Sequence, residues 1–138
     1  MFKKIVVPVD LTHADRLSKA LGVAADMASQ HGAEVCYVGV TTSTPGGIAR
    51  TPEEYTQKLT AFAGEQGESR GITTSSHTII SHDPSTQMNR ELEAAVEKLG
   101  ADLVIMASHV PNVSDYVWSG HGAHIAAHSP VSVMLVRD

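Results

Sequence analysis

The residues best suited to chemistry gather in one stretch, Ala101 to Gly122, with the sequence ADLVIMASHVPNVSDYVWSGHG. Its apolar run Leu103 to Ala107 reads as a buried strand that opens into an irregular loop closing on Ser119, Gly120 and Gly122. A loop of small residues between a parallel strand and a helix lets backbone N–H groups and a helix N-terminus converge on one point. Such a turn holds a phosphate without any lysine.

Other chemistries are weaker in the same stretch. Ser108 beside His109 offers a nucleophile and a base by type, but adjacent residues leaving a strand point in opposite directions. G-x-S-x-G is absent and no carboxylate pair flanks the loop, so no catalytic residue is expected, and at most a slow hydrolysis of what the loop binds. His121, His124 and His128 are spaced to share one helix face, which His109 could approach from the loop as a zinc or nickel constellation. No cysteine completes that set, and solvent-facing histidines are the favoured reading, so no metal is expected. His121 alone stands where a ring could donate to a phosphate at a helix start. Tyr116 and Trp118 read as apolar packing of the loop onto its neighbours or a partner subunit.

The elements that must position this stretch are well punctuated. Ile5 to Val9 is a continuous β-branched run, the pattern of a parallel strand buried on both faces, and it puts Asp10 at its carboxyl end. Thr12 and Asp15 predict a capping box for a helix carrying Leu17, Leu21, Ala24, Ala25 and Ala28, stopped by Gly32. Ala33 to Val40 is a second strand, followed by the turn-rich segment TTSTPGGIAR. Thr51, Pro52 and Glu54 begin a second helix with Tyr55, Leu59 and Phe62 on one face, ending near Gly71. Ile72 to Ile80, rich in threonine and serine, predicts a strand at a sheet edge. Asp83 and Pro84 open a third helix with Met88, Leu92, Ala95 and Leu99, closed by Gly100. After the strand from Asp102 to Ala107 and its loop, a short helix is expected from about Gly120 to His128, and Val131 to Val136 forms the closing strand.

Strict alternation of strand and helix predicts one doubly wound α/β domain over 1–138, a five-stranded parallel sheet with helices on both faces. Ligands of such sheets lie outside the carboxyl ends of the strands, which makes Asp10, Val40 and the Ser108 to Gly122 loop the candidate site. Residue type alone leaves Asp10 evenly divided between a ligand contact and a local hydrogen bond in the first turn.

Composition bounds the rest. With 138 residues, 42% of them hydrophobic, the chain can bury a core without disulfides. Its one cysteine, Cys36, lies in the run Val35 to Val40 and is expected to be a buried small hydrophobe. A net charge of −5, without a basic cluster, argues against a nucleic-acid surface. No run approaches the roughly 20 apolar residues a membrane span needs, and MFKKIVVPVD reads as a strand and not a leader, so a cytoplasmic protein is expected.

The first strand IVVPVD, the strand LVIMAS opening into a loop, the small-residue turn near Gly120 and the closing HSPVSVMLVR together resemble the universal stress protein family over the whole chain. Ala107, Ser108, His109, Pro111 and Tyr116 give an ASH-x-P-x-x-x-x-Y spacing that looks like a bacterial subgroup of small single-domain members. The resemblance implies strand order 3-2-1-4-5, a homodimer through the last strand, a role in stress response, and ATP bound where the strand order reverses. It matches Asp10 to the aspartate that contacts adenosine and Val40 to the valine whose backbone meets adenine. Phosphates would then lie against Ala107, Ser108, His109, Ser119, Gly120 and His121.

The family's G-x-x-G, nine residues, then G and a hydroxyl residue is altered here: Ala107 and Val110 replace the first two glycines, and His121 follows Gly120. A valine costs on the order of 1 kcal/mol or more at positive φ, so the loop takes a different path at Val110. The alternative is therefore a dimeric interaction module that binds no nucleotide. In either case the exposed edge of Val131 to Val136 calls for a cover, which a second copy supplies economically.

Overall fold

The computed structural model describes residues 1–109 and 116–137. Its strands are β1 (Lys4–Pro8), β2 (Glu34–Thr41), β3 (Thr74–Ile80), β4 (Leu103–His109) and β5 (Ser132–Arg137). Its helices are α1 (Ser18–His31), α2 (Pro52–Arg70), α3 (Pro84–Leu99) and α4 (His121–His128). The sheet runs β3-β2-β1-β4-β5 with every pair parallel, the order and class that the sequence and its resemblance imply. Right-handed crossovers put α1 and α2 on one face and α3 and α4 on the other.

The central strands are the most apolar because both of their faces are covered. Ile5, Val6, Val35, Val38, Val104 and Ile105 are wholly buried, with Leu59 of α2, Leu92 of α3 and Ile125 of α4 packed into the same core. Cys36 is a free thiol buried among them, and that burial pushes its pKa up, as befits an inert core residue. The helix stops read from the sequence are real: Gly32, Gly71 and Gly100 all take left-handed φ values, of 63°, 66° and 67°.

Several local details differ from expectation. Thr12 does not cap the first helix. A 3₁₀ segment Leu11–Arg16 precedes α1, and Asp10 caps that segment, its Oδ1 accepting from the Thr12 amide at 3.1 Å, while α1 itself starts after Leu17 with no side-chain cap. A carboxylate at a strand end reaches the amide two residues on more readily than a hydroxyl placed inside the turn, so Asp10 wins the competition. Thr51 does cap α2, accepting from the Glu54 amide at 3.1 Å, but the Glu54 carboxylate bonds the Arg50 amide at 3.4 Å and closes the box one residue early. β3 starts at Thr74, two residues after Ile72.

β3 and β5 are the edges, and each leaves an apolar side chain uncovered: Ile80 is 48% and Leu135 37% exposed. Among the described residues no helix is long and apolar enough to cross a membrane.

Candidate functional site

Asp10 and Val40, far apart in sequence, meet in one cavity of 220 Å³ outside the carboxyl ends of β1 and β2. Thr12, His13, Ile48, Tyr55 and Val117 complete its lining. The strand order reverses beside β1, so this is where a doubly wound sheet offers a crevice. Ile48 reaches the cavity from the segment after β2, which is tied down by the Lys58 ammonium on the Ile48 carbonyl and by the Gly46 amide on the Ala49 carbonyl.

Asp10 organises this corner. It is 7% exposed, and while Oδ1 caps the 3₁₀ turn, Oδ2 accepts from the Val117 amide at 3.0 Å. Next in sequence, Trp118 is 1% exposed and its indole N–H donates to the Val9 carbonyl at 2.9 Å. Two consecutive residues thus fasten the turn before α4 onto the end of β1. The reading of Tyr116 and Trp118 as packing residues is met within the chain, both being buried.

The phosphate side is partly described. Ala107 and Ser108 stand at the carboxyl end of β4, where the ladder to β5 shifts register between Ala107 and His109. Ser108 Oγ is buried and has no hydrogen-bond partner among the described residues. Ser119 and Gly120 are exposed just after Val117, and Gly120 takes φ 80° as the N-cap of α4. The Ser119 amide donates to the Tyr116 carbonyl and the His121 amide to the Trp118 carbonyl, each at 3.0 Å, so those two N–H groups serve the turn. The path of Val110 and Pro111 falls outside the described residues, as does the side chain of His109.

His121 is turned toward α3. Its Nδ1 lies 2.5 Å from Asn89 Oδ1, which places the proton on Nδ1 as donor, and its ring meets Trp118 edge-on at 6.0 Å between centroids. His124 faces Glu93, with 3.4 Å between Nε2 and Oε1, and stacks on His128 at 4.2 Å. Among the described residues no three His, Cys, Asp or Glu side chains gather as a metal site.

Burial, and then the nearby His124, hold the His121 pKa below the ordinary 6.5. The unfolded chain therefore takes up the proton more readily than the folded one, and the contribution of His121 to stability, full above that value, is lost as pH falls through it. The melting temperature is expected to drop between about pH 7 and about pH 5, with His121→Gln flattening the slope. His77, also lowered by burial and Lys98, leaves a residual slope in that variant. An unchanged profile in His121→Gln would remove His121 as the cause.

A larger cavity, 440 Å³, lies between the ends of α3 and α4 and the start of β5. Glu93 and Glu97 line it, and two helix C-termini add negative potential, so it is poorly suited to phosphate. The smaller crevice is the better candidate.

Tyr55 and Val117 were missed as site residues by sequence reasoning. Tyr55 fits the apolar face of α2 so well that periodicity assigns it to the core. The available signal was Gly39, a bare position in a β-branched strand one residue before Val40, which marks a close approach.

Comparison with known proteins places these features in a wider set. The sequence model of the universal stress protein family matches residues 1–137. Universal stress protein G of Shigella flexneri is 25% identical over 148 residues, covering 99% of this chain and 100% of its own. Among solved structures, a universal stress protein in complex with cAMP superposes with a TM-score of 0.70 at 17% identity, covering 98% of this chain and 97% of its own. The universal stress protein from Archaeoglobus fulgidus in complex with dAMP gives 0.67 at 18% identity, covering 96% of each chain.

Proposed function

The chain belongs to the universal stress protein family, and we propose that its Asp10–Val40 crevice binds an adenine nucleotide, ATP by the family resemblance, whose occupancy alters partner contacts in a stress response. The observation that carries this reading is the meeting of Asp10 and Val40 in one cavity at the strand-order reversal, with Val117 hydrogen-bonded to Asp10 so that Ser119 and Gly120 follow at the start of α4. Relatives solved with cAMP and dAMP support adenine as the base class.

In this reading Asp10 and Val40 hold the adenosine part. Ala107, Ser108, His109, Ser119, Gly120 and His121 surround the phosphates, with the buried Ser108 hydroxyl, unpaired among the described residues, as the readiest donor. His121 would exchange its bond to Asn89 for a phosphate oxygen. Signalling would pass through the turn that Asp10 and Trp118 fasten, and through a homodimer paired along β5, where Leu135 stands exposed.

The direct check is to denature freshly purified protein and separate the released small molecules by anion exchange, read at 260 nm. Nucleotide near one per chain is expected. An empty profile, together with no rise in melting temperature on adding ATP, would favour instead a dimeric interaction module that binds no nucleotide. A ligand at about 100 times its Kd stabilises a fold by about 2.7 kcal/mol, which a melting curve reads easily.

A further inference from the structure

The crevice is small beside ordinary ligand cavities. Ligand cavities run from roughly 300 to 1,000 Å³, whereas this one holds 220 Å³. The bulkiest of its described lining residues is Tyr55, 3% exposed in the first turn of α2.

Its seat is unusual. A Cβ built on Gly39 would lie 2.3 Å from the Tyr55 hydroxyl and 2.9 Å from the ring, so the phenol rests on backbone that any other residue would cover. The same hydroxyl therefore stands against the backbone where Gly39 passes into Val40. Pairing of β1 with β2 ends at Pro8↔Val38, and the Val38 carbonyl still accepts from the Val9 amide at 2.8 Å. Alternate residues of a strand present their N–H and C=O to the same side, so Val40 turns its polar edge the same way as Val38, past the last paired residue of β1 and into the crevice. A purine offering an acceptor beside an exocyclic amine, as adenine does, would bond that edge as a neighbouring strand would. Tyr55 already occupies it.

We propose that Tyr55 is the specificity-determining gate of this crevice: its phenol, seated on Gly39, covers the Val40 backbone edge, and only a ligand that takes up that edge and displaces the ring is admitted. This rests on the reading of the crevice as a nucleotide site. Asp10 lies beside the phenol and keeps its own position through Thr12 and Val117, so the ring can leave without releasing the turn before α4.

The test is a calorimetric titration of wild type and Tyr55→Phe with adenosine, which reads the base pocket without the phosphate loop, and in parallel with ATP. Tyr55→Phe keeps the ring and removes the hydroxyl that covers the Val40 edge, so adenosine and ATP are both expected to bind about tenfold more tightly, the worth of one hydrogen bond that the uncovered edge can make. Equal or weaker binding by Tyr55→Phe, with wild type binding ATP and both melting temperatures alike, would overturn the gate and leave the nucleotide site standing. Binding of neither ligand by either protein would overturn the nucleotide site and the gate with it.

Discussion

Asp10→Ala is expected to weaken ATP binding by about tenfold or more and to lower stability by about 2–4 kcal/mol. The two effects share a cause. The family resemblance alone implies weaker binding without unfolding of the domain, because it makes Asp10 a ligand contact. In the fold it is also a clamp, with Thr12 and Val117 amides donating to its two oxygens at 3.1 and 3.0 Å in a corner that is 7% exposed. Removing the carboxylate strands both amides, each at a cost of about 1–3 kcal/mol when little water can reach them. Domains of this size hold about 5–15 kcal/mol in total, so the variant stays folded while its Val117–Gly120 turn loosens. Urea denaturation and calorimetry on the same preparation separate the two effects. Affinity unchanged beside lowered stability would leave Asp10 a purely structural residue.

Trp118→Ala carries the largest expected loss of stability, about 3–5 kcal/mol, the usual range for emptying a fully buried aromatic site. Trp118 is the largest of the wholly buried side chains, and its indole N–H donates to Val9 at the very end of the first strand's run. Its ring also sets the edge against which His121 packs. Trp118→Phe retains most of the volume and loses the hydrogen bond, for about 1–2 kcal/mol. The ordering wild type, Trp118→Phe, Trp118→Ala in urea midpoint is the measurement. Near-equal midpoints would show that the turn before α4 is not pinned through the indole.

Much of this architecture is legible in the sequence because buried parallel strands leave a strong mark. Ile5 to Val9 and Leu103 to Ala107 are unbroken apolar runs, and Gly32, Gly71 and Gly100 end their helices as read. The first helix start differs from its sequence pattern because Asp10, two residues before Thr12, caps a 3₁₀ segment that delays α1 to Ser18. The crevice was half legible. Asp10 and Val40 follow from the rule about strand ends, whereas Tyr55 looks like any core residue of an amphipathic helix until Gly39 is known to lie beneath it. Val117 has no side-chain signal at all, since it serves through its amide. His121 was placed by its position at a helix start, and its bond to Asn89, 32 residues away, could not be read from any local pattern.

The claim on which the rest depends is that an adenine nucleotide occupies the crevice between Asp10 and Val40. The most direct measurement is a titration of isotope-labelled protein with ATP, following the backbone amide resonances of Val40 and Val117. Both amides, one beside Tyr55 in the crevice and one bonded to Asp10, are predicted to shift together and saturate at a single affinity. Resonances of Val40 and Val117 that stay fixed at millimolar ATP would contradict it.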